Sequence, residues 1–275
     1  MNHRIAFLAA VPIAAAACSS PGADDRAFQW TDQIPPGAVV HLRNGSGDIT
    51  VRRADGQSAS VTGSRRWRHG RARDIHFVMK QDGNDYYVCA MWGGSGKCSA
   101  SGYRGRQGGS LLTMFSLFHR NSDARAELVA EIPANVVIDA STTTGSVQVN
   151  GLIAGVIART ITGTVEASNV SGPLTLSTTN GNVRLSTDSL ADADVVRLST
   201  TNGAIRAELP ANLQGSFDLL TVNGVVSSAF PVPPASDSHD NRHLLGQVGS
   251  LPRVVRMRTI NGPVFVTTRG APAAH

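Results

Sequence analysis

The chain has 275 residues, of which 41% are hydrophobic, 16% charged and 5% aromatic, and its 28 glycines outnumber the 3 Trp, 3 Tyr and 8 Phe together. That balance suits a core of short strands and turns and excludes an all-helical bundle. The formal charge of +5 is too small an excess to imply a nucleic-acid partner, and no apolar run approaches the ~20 residues of a membrane-spanning helix.

Ile5 to Ala17 is an apolar stretch behind a basic start and ends in small residues, which is the pattern of an export signal over 1–17. Its end, Ala15-Ala16-Ala17-Cys18, serves two readings: an A-x-A cleavage site, or a lipobox whose Cys18 becomes a lipid anchor. Lipidation is the favoured reading because Ser19 to Asp25 is a polar tether; the segment expected to act as tether is 18–36. The expected place is the cell envelope, held at the membrane by the N-terminal lipid, with a soluble periplasmic or secreted protein as the alternative.

Residues 37–135 form an N-terminal β region. Val39 to Val51, Ser60 to Trp67, Ile75 to Met79 and Ala126 to Ile132 have strand character, the last by strict alternation of Ala126, Leu128, Ala130 and Ile132 with polar neighbours. With Cys18 set aside, Cys89 and Cys98 are an even pair in an exported chain, which predicts a disulfide pinning a Gly-rich hairpin tip. The Gly- and Arg-rich stretch 93–123 is expected to be an inserted loop.

From Val136 the sequence repeats. T-x-[NT]-G-x-[VI] occurs six times, with its glycines at Gly145, Gly163, Gly181, Gly203, Gly224 and Gly262, so the steps are 18, 18, 22, 21 and 38 residues. A step of about 20 is the period of a stacked coil. After each glycine the residues alternate, as in Val147/Val149 around Gln148 or Val183/Leu185 around Arg184, so each coil carries half-buried strands. The expected fold is therefore all-β, a parallel β-solenoid resembling a single-stranded β-helix, over 136–270. Loop 231–252 interrupts it and tail 271–275 follows. Corners Asn180-Gly181, Asn202-Gly203, Asn223-Gly224 and Asn261-Gly262 should stack in one column, where glycine supplies positive φ and the amides bond along the stack. In register, Gln148, Glu166, Arg184 and Arg206 should form an outward column beside an inward one of Val147, Val165, Val183 and Ile205.

This order of parts resembles the DUF4097 family of adhesin-like bacterial envelope proteins. The matching elements are Gly47-Asp48-Ile49-Thr50-Val51, the polar turn Lys80-Gln81-Asp82-Gly83-Asn84, the strand into Ile132-Pro133-Ala134-Asn135, and the repeated T-x-N-G-x-V, together covering about residues 37 to 269. The resemblance implies a β-solenoid on an exported or envelope-associated protein with no established enzymatic activity.

Residues able to carry chemistry are few. Arg65, Arg66, Arg68, Arg71 and Arg73 around Trp67 are a candidate contact for phosphates or acidic polysaccharide, weighed against a solvated strand and turn. Asp188, Asp192 and Asp194 supply too few oxygens for calcium, and His239, Asp240 and His243 lack both helical pattern and a third zinc ligand. Gly96-Lys97 is followed by Cys98 where a phosphate loop needs Ser or Thr. The expectation is thus a non-catalytic, adhesin-like envelope lipoprotein for binding or structural support, with no catalytic residue, metal, cofactor or nucleic-acid partner and an unidentified envelope or extracellular ligand. The alternatives are a carbohydrate-active β-helix enzyme and an envelope sensor or accessory protein.

Overall fold

The computed structural model describes residues 27–67, 75–92, 96–99, 104–105, 124–236 and 241–269. Cys18, the export signal and most of loop 93–123 lie outside them. The described chain is all-β, with no helix long and apolar enough to cross a membrane. Its N-terminal strands are β1 (Ala27–Gln33), β2 (Val39–Ser46), β3 (Ile49–Arg53), β4 (Ser58–Arg66), β5 (Ile75–Asp82), β6 (Asp85–Trp92), the two-residue β7 (Gly96–Lys97) and β8 (Arg104–Gly105), and β9 (Arg125–Ile132). The repeats supply β10 (Val137–Thr144), β11 (Val147–Asn150), β12 (Val156–Thr162), β13 (Val165–Ser168), β14 (Leu174–Asn180), β15 (Val183–Ser186), β16 (Val195–Asn202) and β17 (Ile205–Pro210). The chain ends in β18 (Gly215–Asn223), β19 (Val226–Ser228), β20 (His243–Val248), β21 (Val254–Asn261) and β22 (Val264–Arg269).

Apart from β7 and β8, which pair with each other, these strands make two large, mostly parallel ten-stranded sheets. One, here the short-strand sheet, runs β1-β4-β9-β3-β11-β13-β15-β17-β22-β19; the other, the long-strand sheet, runs β20-β18-β21-β16-β14-β12-β10-β2-β6-β5. Each repeat contributes a long strand, turns at its glycine and contributes a short strand to the facing sheet. Alternation then divides the side chains. Val156, Ala158, Leu174, Leu176, Val196 and Leu198 from one sheet meet Val147, Val165, Val183 and Ile205 from the other in a single core. The neighbour pairs Val147–Val165, Val165–Val183 and Val183–Ile205 set the expected inward column, and Gln148–Glu166, Glu166–Arg184 and Arg184–Arg206 the outward one. Val39 to Val51 is a first copy, since β2 and β3 pair in parallel with β10 and β11.

The architecture departs from a simple sequential stack in three ways. The last two repeats are exchanged in space: β21 and β22 pair with β16 and β17, while β18 and β19 lie outside them. The 38-residue step spans the chain's return from β18 and β19 to β21 and β22, which lie between them and β16 and β17 in the two sheets. That return includes β20, antiparallel to β18, so 231–252 is not a plain loop. Finally, the segment assigned to tether contains β1, antiparallel to β4; Trp30 lies against Tyr86 at 5.8 Å and Phe28 stacks on Phe77 at 5.4 Å between ring centroids. Its FQWTDQ run alternates like a strand, and its aromatic rings help close the N-terminal end of the core.

Candidate functional site

The repeat motif joins neighbouring repeats at the turn between the two sheets. At five of the six repeats the corner glycine has a φ of +140° to +154°, a region that L side chains rarely adopt. Space is a second constraint: a Cβ on Gly203 would lie 1.9 Å from the Gly181 carbonyl oxygen, and on Gly163 2.0 Å from that of Gly145. The threonine three residues earlier uses the same carbonyl, Thr160 Oγ1 donating to Gly145 O at 2.9 Å, Thr178 to Gly163 O at 3.0 Å and Thr200 to Gly181 O at 2.9 Å. The asparagines form one amide ladder in spatial order: Asn202 donates to Asn180 at 2.8 Å, Asn261 to Asn202 at 2.7 Å and Asn223 to Asn261 at 2.8 Å. Sequence reasoning anticipated the amide column but missed the threonine, whose recurrence at each motif start was the available signal.

The arginine run does not form one patch where it is described. Adjacent residues of β4 point to opposite faces, so Arg65 lies over the Phe77 ring at 5.4 Å while Arg66 Nε pairs with Glu127 at 2.7 Å. Trp67 is partly exposed; Arg68, Arg71 and Arg73 lie outside the described residues. Cys89 and Cys98 are disulfide-bonded, with Cα atoms 5.9 Å apart. Cys89 sits fully buried within β6, so the bond staples the start of the insertion onto a sheet rather than closing a hairpin tip. The three aspartates take separate partners: Asp188 pairs with Arg269 Nε at 2.6 Å, Asp192 approaches Arg253 Nη2 at 3.4 Å, and Asp194 accepts from the amides of Ala191 and Gly172. His239 and Asp240 lie outside the described residues.

Two buried carboxylates, neither singled out by the sequence, organise the outer face of the long-strand sheet. On β10, Asp139 Oδ2 accepts from Arg43 Nη2 at 2.6 Å and lies 3.1 Å from His41 Nδ1, while Arg159 Nη1 approaches Oδ1 at 3.4 Å. The His41 ring stacks on Tyr87 at 4.5 Å. On β18, Asp218 Oδ2 accepts from Arg256 Nε at 3.0 Å and Arg258 Nη2 at 2.8 Å, with His243 Nε2 3.3 Å from Oδ1. Burial alone would raise both carboxyls. At Asp139 the hydrogen bonds from His41 and Arg43 and the charges of Arg43 and Arg159 outweigh it, and at Asp218 those of Arg258, His243 and Arg256 do, so both sit below their ordinary value.

No protein-family model matches this chain, and no curated protein matches it. Among solved structures it is similar to a candidate cell-adhesion protein from Clostridium sporogenes, at 11% identity and a TM-score of 0.48 over 89% of this chain and 100% of that one. A candidate adhesin from Bacteroides fragilis matches at 11% identity and a TM-score of 0.37, covering 88% of this chain and 97% of that one. A candidate adhesin from Parabacteroides merdae gives 8% identity and a TM-score of 0.29 over the same shares.

Between the two aspartates, the outer face is regular. Its register places Ile157, Thr175, Arg197 and Arg256 in one row and Arg159, Ser177, Ser199 and Arg258 in the next, across β12, β14, β16 and β21. On the short-strand sheet the like-charged neighbours Arg184 and Arg206 are relieved differently: the Arg206 guanidinium turns over the Phe265 ring at 5.5 Å, away from Arg184.

Proposed function

We propose that this is a non-catalytic, adhesin-like envelope protein of the DUF4097 type, a β-solenoid whose coils display outward rows for binding or structural support. One observation carries the reading. The threonine, asparagine and glycine of the repeats bond to one another, whereas the outward positions differ from coil to coil. A motif used to hold coils together leaves the variable rows as the working surface. The Cys89–Cys98 disulfide supports an extracytoplasmic place, and Cys18 at the end of the export signal supports a lipid anchor there.

The test is attachment. Beads coated with the mature protein should bind bacterial or host cell surfaces above an albumin control, and the protein should release no product from pectin or alginate. Reproducible turnover that disappears on changing a single carboxylate would replace this reading with an enzymatic one.

A further inference from the structure

We infer that the outer face of the long-strand sheet, across β12, β14, β16 and β21, is a binding surface for a linear anionic polysaccharide. The inference rests on the display reading above and names its ligand class.

Charge is the first observation. The four strands contain four arginines, Arg159, Arg197, Arg256 and Arg258, and no Asp, Glu or Lys. All four face outward and are exposed. The strands of the facing sheet are mixed by contrast, with Glu166 and Glu208 among their arginines. Arg197 and Arg256 are direct neighbours in register, so their like charges repel and an anion lying across both would be favoured. Arg256 is drawn to Asp218 on its far side, and Arg197 has no hydrogen-bond or ion-pair partner among the described residues.

Preorganisation is the second. Arg256 and Arg258 donate to the same Asp218 oxygen on the flanking β18 and Arg159 leans on Asp139 of the flanking β10, so three guanidinium groups are held from the two sides of the face while remaining about half exposed. Holding them in place before a ligand arrives lowers the entropic cost of binding, and guanidinium forks suit carboxylate and sulfate oxygens. The geometry is linear: Arg159 and Arg258 stand at the two ends of one row, three strand spacings or about 14 Å apart, with Ser177 and Ser199 between them.

The hydroxyls of Thr175, Ser177 and Ser199 can donate to and accept from sugar hydroxyls. Along the corner side, the exposed Ile161 and Ile260, on the two outermost of these strands, each offer an apolar contact for the C–H face of a pyranose ring. A bilayer fits less well, because the exposed aliphatic side chains of this face, Ile161 and Ile260, stand on its two outermost strands with β14 and β16 between them.

The experiment uses the full mature protein with polygalacturonate oligosaccharides and heparin as carboxylated and sulfated probes, dextran as a neutral control, and phosphatidylglycerol vesicles as the membrane arm. We expect polygalacturonate or heparin to bind in a salt-sensitive manner, and the Arg159→Gln/Arg197→Gln double variant to weaken that binding at least tenfold with its melting temperature retained. Arg184→Gln, on the opposite sheet, should change it less than twofold. Equal weakening by Arg184→Gln, an unaffected double variant, failure of both polyanions to bind, or binding confined to vesicles would each overturn the assignment. Bead attachment judges the broader reading separately: attachment that survives in the double variant leaves display standing and removes this face.

Discussion

At Gly203 a single methyl group meets two obstacles, the Gly181 carbonyl oxygen 1.9 Å from its place and a φ of +154°. Gly203→Ala should therefore cost about 2 to 4 kcal/mol. Gly56→Ala, where a Cβ meets nothing within 4 Å and φ is ordinary, should stay within about 0.5 kcal/mol. Urea unfolding of both variants checks the pair, and equal effects would deny that the stacked carbonyl decides. Asn202 both donates to Asn180 and accepts from Asn261, so Asn202→Ala should cost about 1 to 2 kcal/mol in the same urea unfolding, while the Asn180 Oδ1 and Asn261 Nδ2 it leaves behind turn to water.

Between strands, Asp139 is the junction of β2, β10 and β12. Arg43 is almost wholly buried, its side chain 4% exposed, and it donates to both the carboxylate and the backbone oxygen of Asp139. Removing the acid strands a buried charge, so Asp139→Ala should lose about 3 to 5 kcal/mol, read as a fall in the urea midpoint. The same pairing sets an acid limit. Because Asp139 and Asp218 have carboxyl pKa values lowered by folding, the stability they contribute is complete above the unfolded value of about 3.9 and is lost as pH falls through the folded values. The contribution of these two carboxylates should thus be undiminished above about pH 5 and decline below about pH 4, with a shallower acid decline in Asp139→Asn. An equally steep decline in that variant would place the acid sensitivity elsewhere.

For the whole molecule, the exchanged order of the last two coils makes a sharp prediction. In a sequential stack, deleting the final strands would trim one end. Here β21 and β22 lie between β16/β17 and β18/β19, so truncation after Val248 removes an interior coil and leaves β18 and β19 without their parallel neighbours. In the truncated protein the 215–248 segment should lose protease resistance well before the N-terminal half, as limited proteolysis with mass spectrometry would show; unchanged protection of 215–248 would contradict it. Anchoring belongs to this scale too. If Cys18 is the lipid anchor proposed above, Cys18→Ser should move the protein from the membrane to the soluble fraction, and unchanged detergent partitioning would exclude the lipid.

Period and alternation determined much of this protein from the sequence by itself: the six corners, the faces of Val147 and Gln148, and the asparagine column all follow from spacings of about one coil, because local backbone chemistry repeats wherever the motif does. The disulfide was equally legible, from the even pair of cysteines left once Cys18 is set aside and an export signal is read at the start of the sequence. Spatial order was not. Thr221 and Thr259 carry the same motif, and nothing local distinguishes the coil that ends the stack from the one that fills it; only the pairing of β18 with both β20 and β21 decides. The strand β1 escaped notice for a related reason, since its aromatic residues acquire a core only when Tyr86 and Phe77 arrive from far along the chain. Likewise Arg159, Arg197 and Arg256 are isolated residues in three different repeats, whereas Arg65 to Arg73 look like a cluster on paper. Strand register gathers the first set onto one face, and strand alternation sends Arg65 and Arg66 of the second to opposite ones.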